Sequence, residues 1–457
     1  MTPEQVRTAA DARAIVEARG LSHVKVGVFD SDGILRGKLM SRAKFFSSLD
    51  QGFGFCDVVL GWDSNDQLYD NISYTGWHTA YPDAMVRIVP STCRELPNEF
   101  DGQGLIFLGE FDGRSAEVCP RRTLSRVLDK ARDMGFDVSA ALEYEFFVFD
   151  ETPDSVREKG YRNLKPITPG FFGYSVLRNS VWADFYEGLL ALSQQMRFPI
   201  EGIHTETGPG VLEAALDHAP ALEAADRGAL FKTFTKVFAQ REGLMATFMA
   251  KWSKDYPGQS GHIHISLKDR NGTPAFHDPA DRLGMSAMMK SFVAGQQRLM
   301  PEVLAMIAPT VNSYTRLIPG FWAPTNATWG HENRTCALRV IGGSPKSQRV
   351  EYRIAAADGN PYLALAASIG SGLWGVEQGL ELGEPIVGNA YDVPVAPESA
   401  LPTTLWDAAQ RLKASTAARS LFGDAFVEHF AATREWEERE NRRHISDWQL
   451  GRYFEII

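Results

Sequence analysis

The start of the chain alternates between apolar and polar residues as a small β-sheet requires. Apolar residues take every second position between residues 23 and 29, which predicts a strand with one buried face. Turn residues at 30–33 and a second strand at 34–40 complete a hairpin. The other elements predicted here are a polar helix at 3–18 and strands at 85–89 and 105–109. Together they predict a small, mostly β, N-terminal domain at residues 1–112.

Beyond residue 112 the pattern changes to helices that alternate with strands. Leu124, Val127, Leu128 and Ala131 recur at helical spacing, and Gly135 stands where a C-terminal cap is expected. The further elements predicted are strands at 138–149, 211–216 and 261–267, helices at 180–196, 221–240 and 286–305, a surface loop at 383–402 and a helical tail. The expected class is α+β, with a large α/β domain at residues 113–457.

Composition narrows the possible functions. The chain has 457 residues, of which 44% are hydrophobic and 23% are charged, as in ordinary globular proteins of two or three domains. Its net charge of -10 offers no positive field for nucleic acid or an anionic membrane. The cysteines form no CxxC pair, which argues against a disulfide framework and a thiolate zinc site. The first residues carry charges where a signal peptide needs an apolar core, so we expect a cytoplasmic protein.

Two pairs of chemistry-bearing residues share strand faces. Glu143 and Glu145 lie two residues apart in an apolar run, so both carboxylates project to one side. Adjacent carboxylates in an apolar setting are costly unless a cation neutralises them, and a divalent metal does so. His262 and His264 repeat this geometry with imidazoles. The alternatives are a solvated strand face for the glutamates and a hydrogen-bonded histidine pair.

Arginines and further carboxylates follow the same logic. Arg349, Glu351 and Arg353 form the charged face of a third strand, which is either an anion clamp or a salt-bridged edge. Arg334 and Arg339 lie nearby in the sequence and would favour planar oxyanions. Glu206 and Glu213 flank a Gly-Pro-Gly turn that would bring them together, unless they are ordinary surface carboxylates. Oxygen-rich ligands of this kind suit Mg²⁺ or Mn²⁺.

The order of these segments resembles the glutamine synthetase superfamily. The chain contains no GxxxxGK[ST] loop, GxGxxG fingerprint or GxSxG elbow, so any nucleotide binding would be led by metal ions. The resemblance covers residues 120–365, with a weaker likeness in a β-grasp-like N-terminal part and in the tail. The segments that carry it are Glu143-Tyr144-Glu145-Phe146-Phe147, Gly208-Pro209-Gly210, His262-Ile263-His264, residues 312–320, Asn333-Arg334-Thr335 and Asn360-Pro361-Tyr362-Leu363.

The resemblance implies a role for each candidate residue. Two metal ions would lie at the waist of a funnel-shaped site, one bound by Glu145, Glu206 and Glu213 and the other by Glu143, His262 and Glu351. His264 would lie near ATP, and Arg316, Arg353 and Gly258 would bind glutamate. Arg334, Arg339 and Arg349 would face the phosphates of ATP and of γ-glutamyl phosphate. Metals and arginines would neutralise charge as the glutamate side chain attacks the γ-phosphorus.

Two departures from the family pattern concern the acceptor. Ammonia-using members have a glutamate after the Pro-Gly-aromatic turn, whereas this chain has Trp322 after Phe321. An indole cannot accept a proton as a carboxylate does, although its face attracts an ammonium. The aspartate that contacts ammonium across a subunit boundary is matched poorly, and Asp57 and Asp63 are both candidates.

Three hypotheses follow. The leading one is a glutamate–amine ligase that forms a γ-glutamylamide from ATP, L-glutamate and a primary organic amine. The second is an ammonia-using glutamine synthetase, in which Trp322 only packs and another group supplies the base. The third is a non-catalytic member of the same superfamily that serves as a scaffold or sensor, which would have lost its ligands freely. The resemblance further implies a homo-oligomer, commonly a dodecamer, in which a neighbour's N-terminal domain completes each site.

Overall fold

The computed structural model describes residues 1–394 and 396–457 and divides their strands between two sheets. Val395, in the predicted surface loop, lies outside the described residues. The strands of the first sheet are β1 (His23–Phe29), β2 (Leu35–Ser41), β3 (Phe53–Cys56), β4 (Asp83–Ile88), β5 (Arg94–Leu96) and β6 (Gly104–Phe111). Those of the second are β7 (Phe136–Phe149), β8 (Ile200–Thr205), β9 (Val211–Leu216), β10 (Ala219–Pro220), β11 (Met245–Thr247), β12 (Gly261–Asp269), β13 (Trp329–His331), β14 (Leu338–Ile341) and β15 (Arg349–Tyr352).

Helices connect and cover these sheets. The α-helices are α1 (Ala9–Ala18), α2 (Arg42–Gln51), α3 (Pro120–Asp133), α4 (Pro153–Glu158), α5 (Val176–Val181), α6 (Ala183–Gln195), α7 (Ala221–Arg241), α8 (Ala287–Val303), α9 (Ser313–Arg316), α10 (Pro361–Glu377), α11 (Leu405–Ala414), α12 (Thr416–Phe422), α13 (Asp424–Asn441) and α14 (Asp447–Tyr453). Short 3-10 turns include Pro3–Gln5, Asp57–Leu60, Leu304–Met306, Ala390–Asp392 and Pro397–Ser399. No helix in the described part of the chain is long and apolar enough to cross a membrane.

The strand order explains the mixed character of the fold. The first sheet runs β2-β1-β6-β4-β3 with β5 beside β6, and β1 and β6 are parallel. The second runs β13-β14-β15-β12-β7-β9-β8, with β10 and β11 also paired to the long strand β7. The first sheet ends at Phe111 and α3 begins at Pro120. The domain boundary at residues 112 and 113 stays a prediction.

Strand β7 separates the hydrophobic core from the polar face of the large sheet. Tyr144 and Phe146 are buried and pack against Phe231 of α7 and against Phe248, with ring centroids 5.2–6.1 Å apart. Because successive residues of a strand point to opposite faces, the residues between them project away from this core. The aromatic side of β7 therefore orients its charged side.

Most predicted elements are confirmed, and two helices needed correction. The strands at 23–29 and 211–216 have the predicted bounds. The first helix begins at Ala9 rather than at residue 3, because Thr8 and Asp11 form a reciprocal capping box. The helix predicted at 180–196 is two helices, α5 and α6, because Trp182 has a non-helical ψ of 27°.

A buried arginine joins the N-terminal hairpin to the C-terminal helices. The side chain of Arg434, on α13, is 1% exposed. Its Nη1 donates to the carbonyl of Pro309 at 2.8 Å, and its Nη2 donates to Asp32 Oδ1 at 2.7 Å. Glu437, one turn further along α13, accepts a hydrogen bond from the N–H of Val311 at 3.0 Å. These contacts fix the segment that leads into α9.

Replacing this arginine should destabilise the fold. Arg434→Met leaves the Asp32 carboxylate and the Pro309 carbonyl without their donor, so we expect the free energy of unfolding to fall by about 3–5 kcal/mol. Arg443→Met is the matched control, because Arg443 is 68% exposed and its ion pair with Glu440 is worth about 0–1 kcal/mol. Urea unfolding followed by tryptophan fluorescence measures both; equal midpoints for the two variants would contradict the prediction.

Candidate active site

One face of the large sheet gathers the charged residues that the sequence singled out. Glu143 and Glu145 project from β7 away from the aromatic core. In the antiparallel register, Glu143 lies opposite His262 of β12, and Glu145 lies opposite Glu213 of β9. The central strand thus supplies two carboxylates, and each neighbouring strand supplies a partner.

The register extends this face to the outer strands. Glu351 of β15 lies opposite His264 of β12 and opposite Arg339 of β14. On the other side, His204 of β8 lies opposite Glu213 of β9. Six neighbouring strands therefore present acidic, imidazole and guanidinium groups on one surface.

These groups line a cavity of about 590 Å³. The cavity brings together fourteen of the sixteen sequence-predicted site residues and leaves out only two, Asp57 and Asp63. The predicted residues that line it are Glu143, Glu145, Glu206, Glu213, Gly258, His262, His264, Arg316, Trp322, Arg334, Arg339, Arg349, Glu351 and Arg353.

The first cluster in the cavity combines carboxylates with imidazoles. Ligand atoms of Glu143, His264 and Glu351 lie within 4.8 Å of one another. His262 Nδ1 lies 3.5 Å from both Glu143 Oε2 and Glu351 Oε1. Burial opposes ionisation of Glu143, but its contacts with His262 and His264 outweigh burial and lower its pKa. Burial also opposes ionisation of Glu351, but His262 and Arg353 outweigh it and lower the pKa of Glu351 to about 2.

The second cluster contains a residue that sequence reasoning did not select. Ligand atoms of His204, Glu206 and Glu213 lie within 4.8 Å of one another, and His204 Nε2 is 3.5 Å from Glu213 Oε1. Burial disfavours the imidazolium of His204, but its contact with Glu213 prevails and raises its pKa. The available signal was that His204 stands two residues before Glu206. Its partner Glu213 became apparent only from the pairing of β8 with β9.

Glu145 lies between these clusters, in surroundings that disfavour its ionised form. Its Oε2 accepts a hydrogen bond from the N–H of Ser260 at 2.7 Å. Burial, followed by the charge of Glu213, raises the pKa of Glu145. A carboxylate that is hard to ionise beside a second carboxylate is the environment that a bound cation relieves.

The donor set fits divalent cations. It consists of carboxylate oxygens and imidazole nitrogens, and no cysteine is among the described residues that line the cavity. The buried Nε2 of His264 has no hydrogen-bond partner within the described residues and lies 3.2 Å from Glu143 Oε1. Each geometric cluster differs from the corresponding predicted ligand set in one residue. His264 takes the place of His262 in the first cluster, and His204 takes the place of Glu145 in the second.

The arginines form a shell around these acids. Arg339 Nη1 donates to Glu351 Oε2 at 3.0 Å, and Arg353 contacts Glu351 Oε1. Arg349 Nε lies 3.2 Å from His264 Nδ1. Arg316 is 2% exposed and donates to the carbonyls of residues 353 and 354, and burial lowers its pKa to about 10. The cavity can therefore hold anions as well as cations.

An aromatic loop closes one side of the cavity. Trp322 is 61% exposed and has a φ of 59°, a left-handed backbone conformation that is rare for a residue with a side chain. Phe321 lies beside it, and its ring covers Lys251 Nζ at 4.3 Å. This wall offers ring faces and an indole where the family pattern has a carboxylate.

Asp57 and Asp63 lie away from this cavity. Asp57 is buried and accepts a hydrogen bond from the Thr75 hydroxyl at 2.7 Å. Burial raises the pKa of Asp57. Asp63 accepts the N–H groups of Asn65 and Gln67 at 2.9 and 2.8 Å. The expectation that one of them meets the amine in a neighbouring subunit stays a prediction.

A second cavity of about 250 Å³ adjoins the first, and both are lined by Glu143, His264 and Arg349. His218 and Lys346 also line it, and the sequence pattern did not indicate either residue.

Comparison with known proteins identifies the family. The pattern that defines the catalytic domain of glutamine synthetase matches residues 117–453. This chain belongs to the glutamine synthetase family. It is accordingly a carbon–nitrogen ligase. The family is ATP-dependent and uses divalent metals.

Individual relatives of this family member carry different names. Type-1 glutamine synthetase 2 of Dictyostelium discoideum is 46% identical over 440 residues, covering 95% of this chain and 84% of the relative. Glutamate–isopropylamine ligase of a Pseudomonas species is 35% identical over 464 residues, covering all of both chains. A solved structure of apo GmaS without ligand is 25% identical, has a TM-score of 0.84 and covers 97% of this chain and 99% of that chain. The predicted α+β class is thereby confirmed.

Removing the charge of Glu145 should stabilise this ligase in the absence of metal. Because the pKa of Glu145 is raised in the folded state, its ionisation costs stability as pH rises through that pKa, and the cost is absent below the unfolded value of 4.5. We expect EDTA-treated Glu145→Gln to have a higher Tm than the wild type at pH 7.5 and an equal Tm near pH 4.5.

The thermal unfolding measurement has an internal control. Glu158→Gln changes an exposed glutamate outside the cavity and should leave the Tm unchanged at either pH. Added Mn²⁺ should raise the Tm of the wild type more than that of Glu145→Gln. Identical Tm values for wild type and Glu145→Gln at pH 7.5 without metal would contradict the prediction.

Proposed function

We propose that this chain is an ATP-dependent glutamate–amine ligase that joins the γ-carboxylate of L-glutamate to a primary organic amine through γ-glutamyl phosphate. The observation that carries the proposal is Trp322, which lines the cavity with 61% of its surface exposed. Ammonia-using members have a glutamate at this position. The other predicted acidic and basic groups of the activation half are retained around the same cavity.

The activation half of the reaction is assigned to the charged face of the sheet. Bound Mg²⁺ or Mn²⁺ would neutralise phosphate oxygens and polarise the transferred group. Glu145, Glu206 and Glu213 would hold one ion, with His204 supporting Glu213. Glu143, His262 and Glu351 would hold the other. The oxygen-rich donor set supports these hard cations over softer ones.

The nucleotide and glutamate are assigned to different groups of residues in the cavity. ATP would occupy the region shared with the second cavity, which His264 and Arg349 line, and Arg339 beside Glu351 would also face its phosphates. Arg316 and Arg353 would bind the glutamate carboxylate beside Gly258, and Arg334 would stabilise charge on γ-glutamyl phosphate. Planar guanidinium groups suit carboxylate and phosphate oxygens.

The acceptor half is assigned to the aromatic wall. An ammonium ion needs a carboxylate to bind it and remove its proton, whereas an alkylamine also needs apolar contact for its carbon chain. Phe321 and Trp322 provide such contact. The name of the Pseudomonas relative, a glutamate–isopropylamine ligase that matches along its whole length, supports an organic amine.

A second candidate function is glutamine synthetase itself. It is favoured by the 46% identical Dictyostelium relative, whose name assigns it to that activity. In that case Trp322 would be a packing residue, and the base would come from another group.

An amine panel separates the two functions. We expect ADP release with glutamate and primary amines such as isopropylamine to exceed ADP release with ammonium by at least tenfold in kcat/KM. Coupled ADP detection, with mass spectrometry of the γ-glutamyl product, measures both reactions. Efficient turnover with ammonium at low millimolar concentration and none with any amine would favour glutamine synthetase.

Restoring the carboxylate should shift this preference. Trp322→Glu supplies a group that binds and deprotonates ammonium, so we expect kcat/KM for ammonium to rise about tenfold and that for isopropylamine to fall about tenfold. Trp406→Glu, at an exposed tryptophan of α11 outside the cavity, should change neither value. An unchanged ratio in Trp322→Glu would show that residue 322 does not select the acceptor.

We also propose that the chain assembles as a homo-oligomer, a dodecamer by family resemblance. The support is that Asp57 and Asp63 do not line the cavity of their own chain. A neighbour's copy of either residue would then reach the amine. Analytical ultracentrifugation should give about twelve times the chain mass of 50.7 kDa; a monomeric, fully active enzyme would contradict this assignment.

A further inference from the structure

A buried lysine lies behind the aromatic wall of the cavity. Lys251 is 7% exposed, and its Nζ lies 4.3 Å from the centre of the Phe321 ring. In the chain as described, no residue accepts a hydrogen bond from this Nζ. Phe321 lines the cavity and Lys251 does not, so the ring lies between the ammonium and the cavity.

The main chain fixes this lysine in place. The N–H of Lys251 donates to Asn312 Oδ1 at 2.8 Å, and Asn312 Nδ2 donates to the carbonyl of Lys251 at 2.8 Å. Asn312 immediately precedes α9, which leads through Arg316 into the loop that carries Phe321. Lys251 therefore contacts this segment at two points, with its main chain at Asn312 and with its Nζ at Phe321.

The ring face of Phe321 provides a cation–π contact for the Nζ of Lys251. Burial lowers the pKa of Lys251. The negative face of an aromatic ring attracts a cation within about 6 Å, so the ring favours the charged form. One face of Phe321 is thus already occupied by the Nζ of Lys251.

The cavity has further aromatic residues besides Phe321. Phe147, Tyr174 and Trp322 also line the cavity, and Trp252 supports Phe147 with ring centroids 5.7 Å apart. Rings of this kind bury alkyl and aryl groups well.

We infer that Lys251 and Phe321 restrict the acceptor to primary monoamines with an uncharged, apolar substituent and discriminate against diamines. The inference rests on the proposed function, in which the amine enters beside Trp322. A substituent on the cavity side of Phe321 would bring a second ammonium to about 8 Å from Lys251 Nζ, because each cation would lie about 4 Å from the ring. Like charges at that separation in a partly desolvated site repel enough to cost about tenfold or more in kcat/KM.

The test compares n-butylamine with 1,4-diaminobutane, which share a four-carbon skeleton and differ by one ammonium. For the wild type at pH 7.5 we expect kcat/KM to be at least tenfold higher with n-butylamine. Lys251→Met removes the charge and retains an unbranched side chain, so the ratio should fall at least fivefold through a gain with the diamine. Lys254→Met is the matched control, since Lys254 lies in the same loop, has a side chain 90% exposed and should leave the ratio unchanged.

The possible outcomes separate a failure of this inference from a failure of the proposed glutamate–amine ligase activity. Wild-type preference for 1,4-diaminobutane, or an unaltered ratio in a Lys251→Met variant with native Tm, would overturn the inference and leave the amine ligase standing. Turnover with ammonium alone would overturn both. If Lys251→Met does not fold, the inference is tested with Lys251→Gln and with the wild-type ratio of kcat/KM for n-butylamine to that for 1,4-diaminobutane.

Discussion

The structure depends on mutual neutralisation of charges that the large sheet brings onto one face. A carboxylate removed from water is costly unless a cation lies beside it. Here Glu351 contacts two guanidinium groups, whereas Glu143 contacts two imidazoles, which carry a charge only when protonated. Within the part of the chain that the structure describes, Glu145 forms no ion pair, and burial together with the charge of Glu213 raises its pKa. The carboxylate of Glu145 is therefore the group whose burial a bound divalent cation would offset most.

The fold creates this arrangement with a simple division of labour. Alternate residues of β7 enter an aromatic core packed against α7, and the residues between them face the cavity. The core side holds the strand, and the antiparallel register then decides which residue of β12 or β9 meets each carboxylate. Side chains that are far apart in the sequence, such as Glu145 and Glu213, meet because a register slip would bury charge and expose phenylalanine.

Strand periodicity explains why much of the site was predictable from the sequence. Spacing alone predicts a shared strand face for two pairs of residues, Glu143 with Glu145 and His262 with His264. The family resemblance then assigned partners that spacing could not. What escaped prediction depends on tertiary pairing: the role of His204 follows from the β8–β9 register, and a lysine behind Phe321 leaves no periodic signal.

The helices show the same limit. Apolar spacing located α7 and α8 well, but it placed the start of the first helix too early, because the Thr8–Asp11 capping box is a local hydrogen-bond pattern rather than a hydrophobic one. Arg434 was likewise indistinguishable from the other arginines of the tail. Only its contacts with Pro309 and Asp32 make it a structural link between distant parts of the chain.

The left-handed backbone at Trp322 has a consequence for how such enzymes diversify. The steric cost belongs to the position and is similar for most side chains with an unbranched Cβ, whereas valine, isoleucine and threonine suffer more. Mutation can therefore exchange one unbranched residue for another there without rebuilding the loop, while the phosphoryl-transfer groups on the sheet stay fixed. New nitrogen nucleophiles become accessible to a lineage through single codon changes.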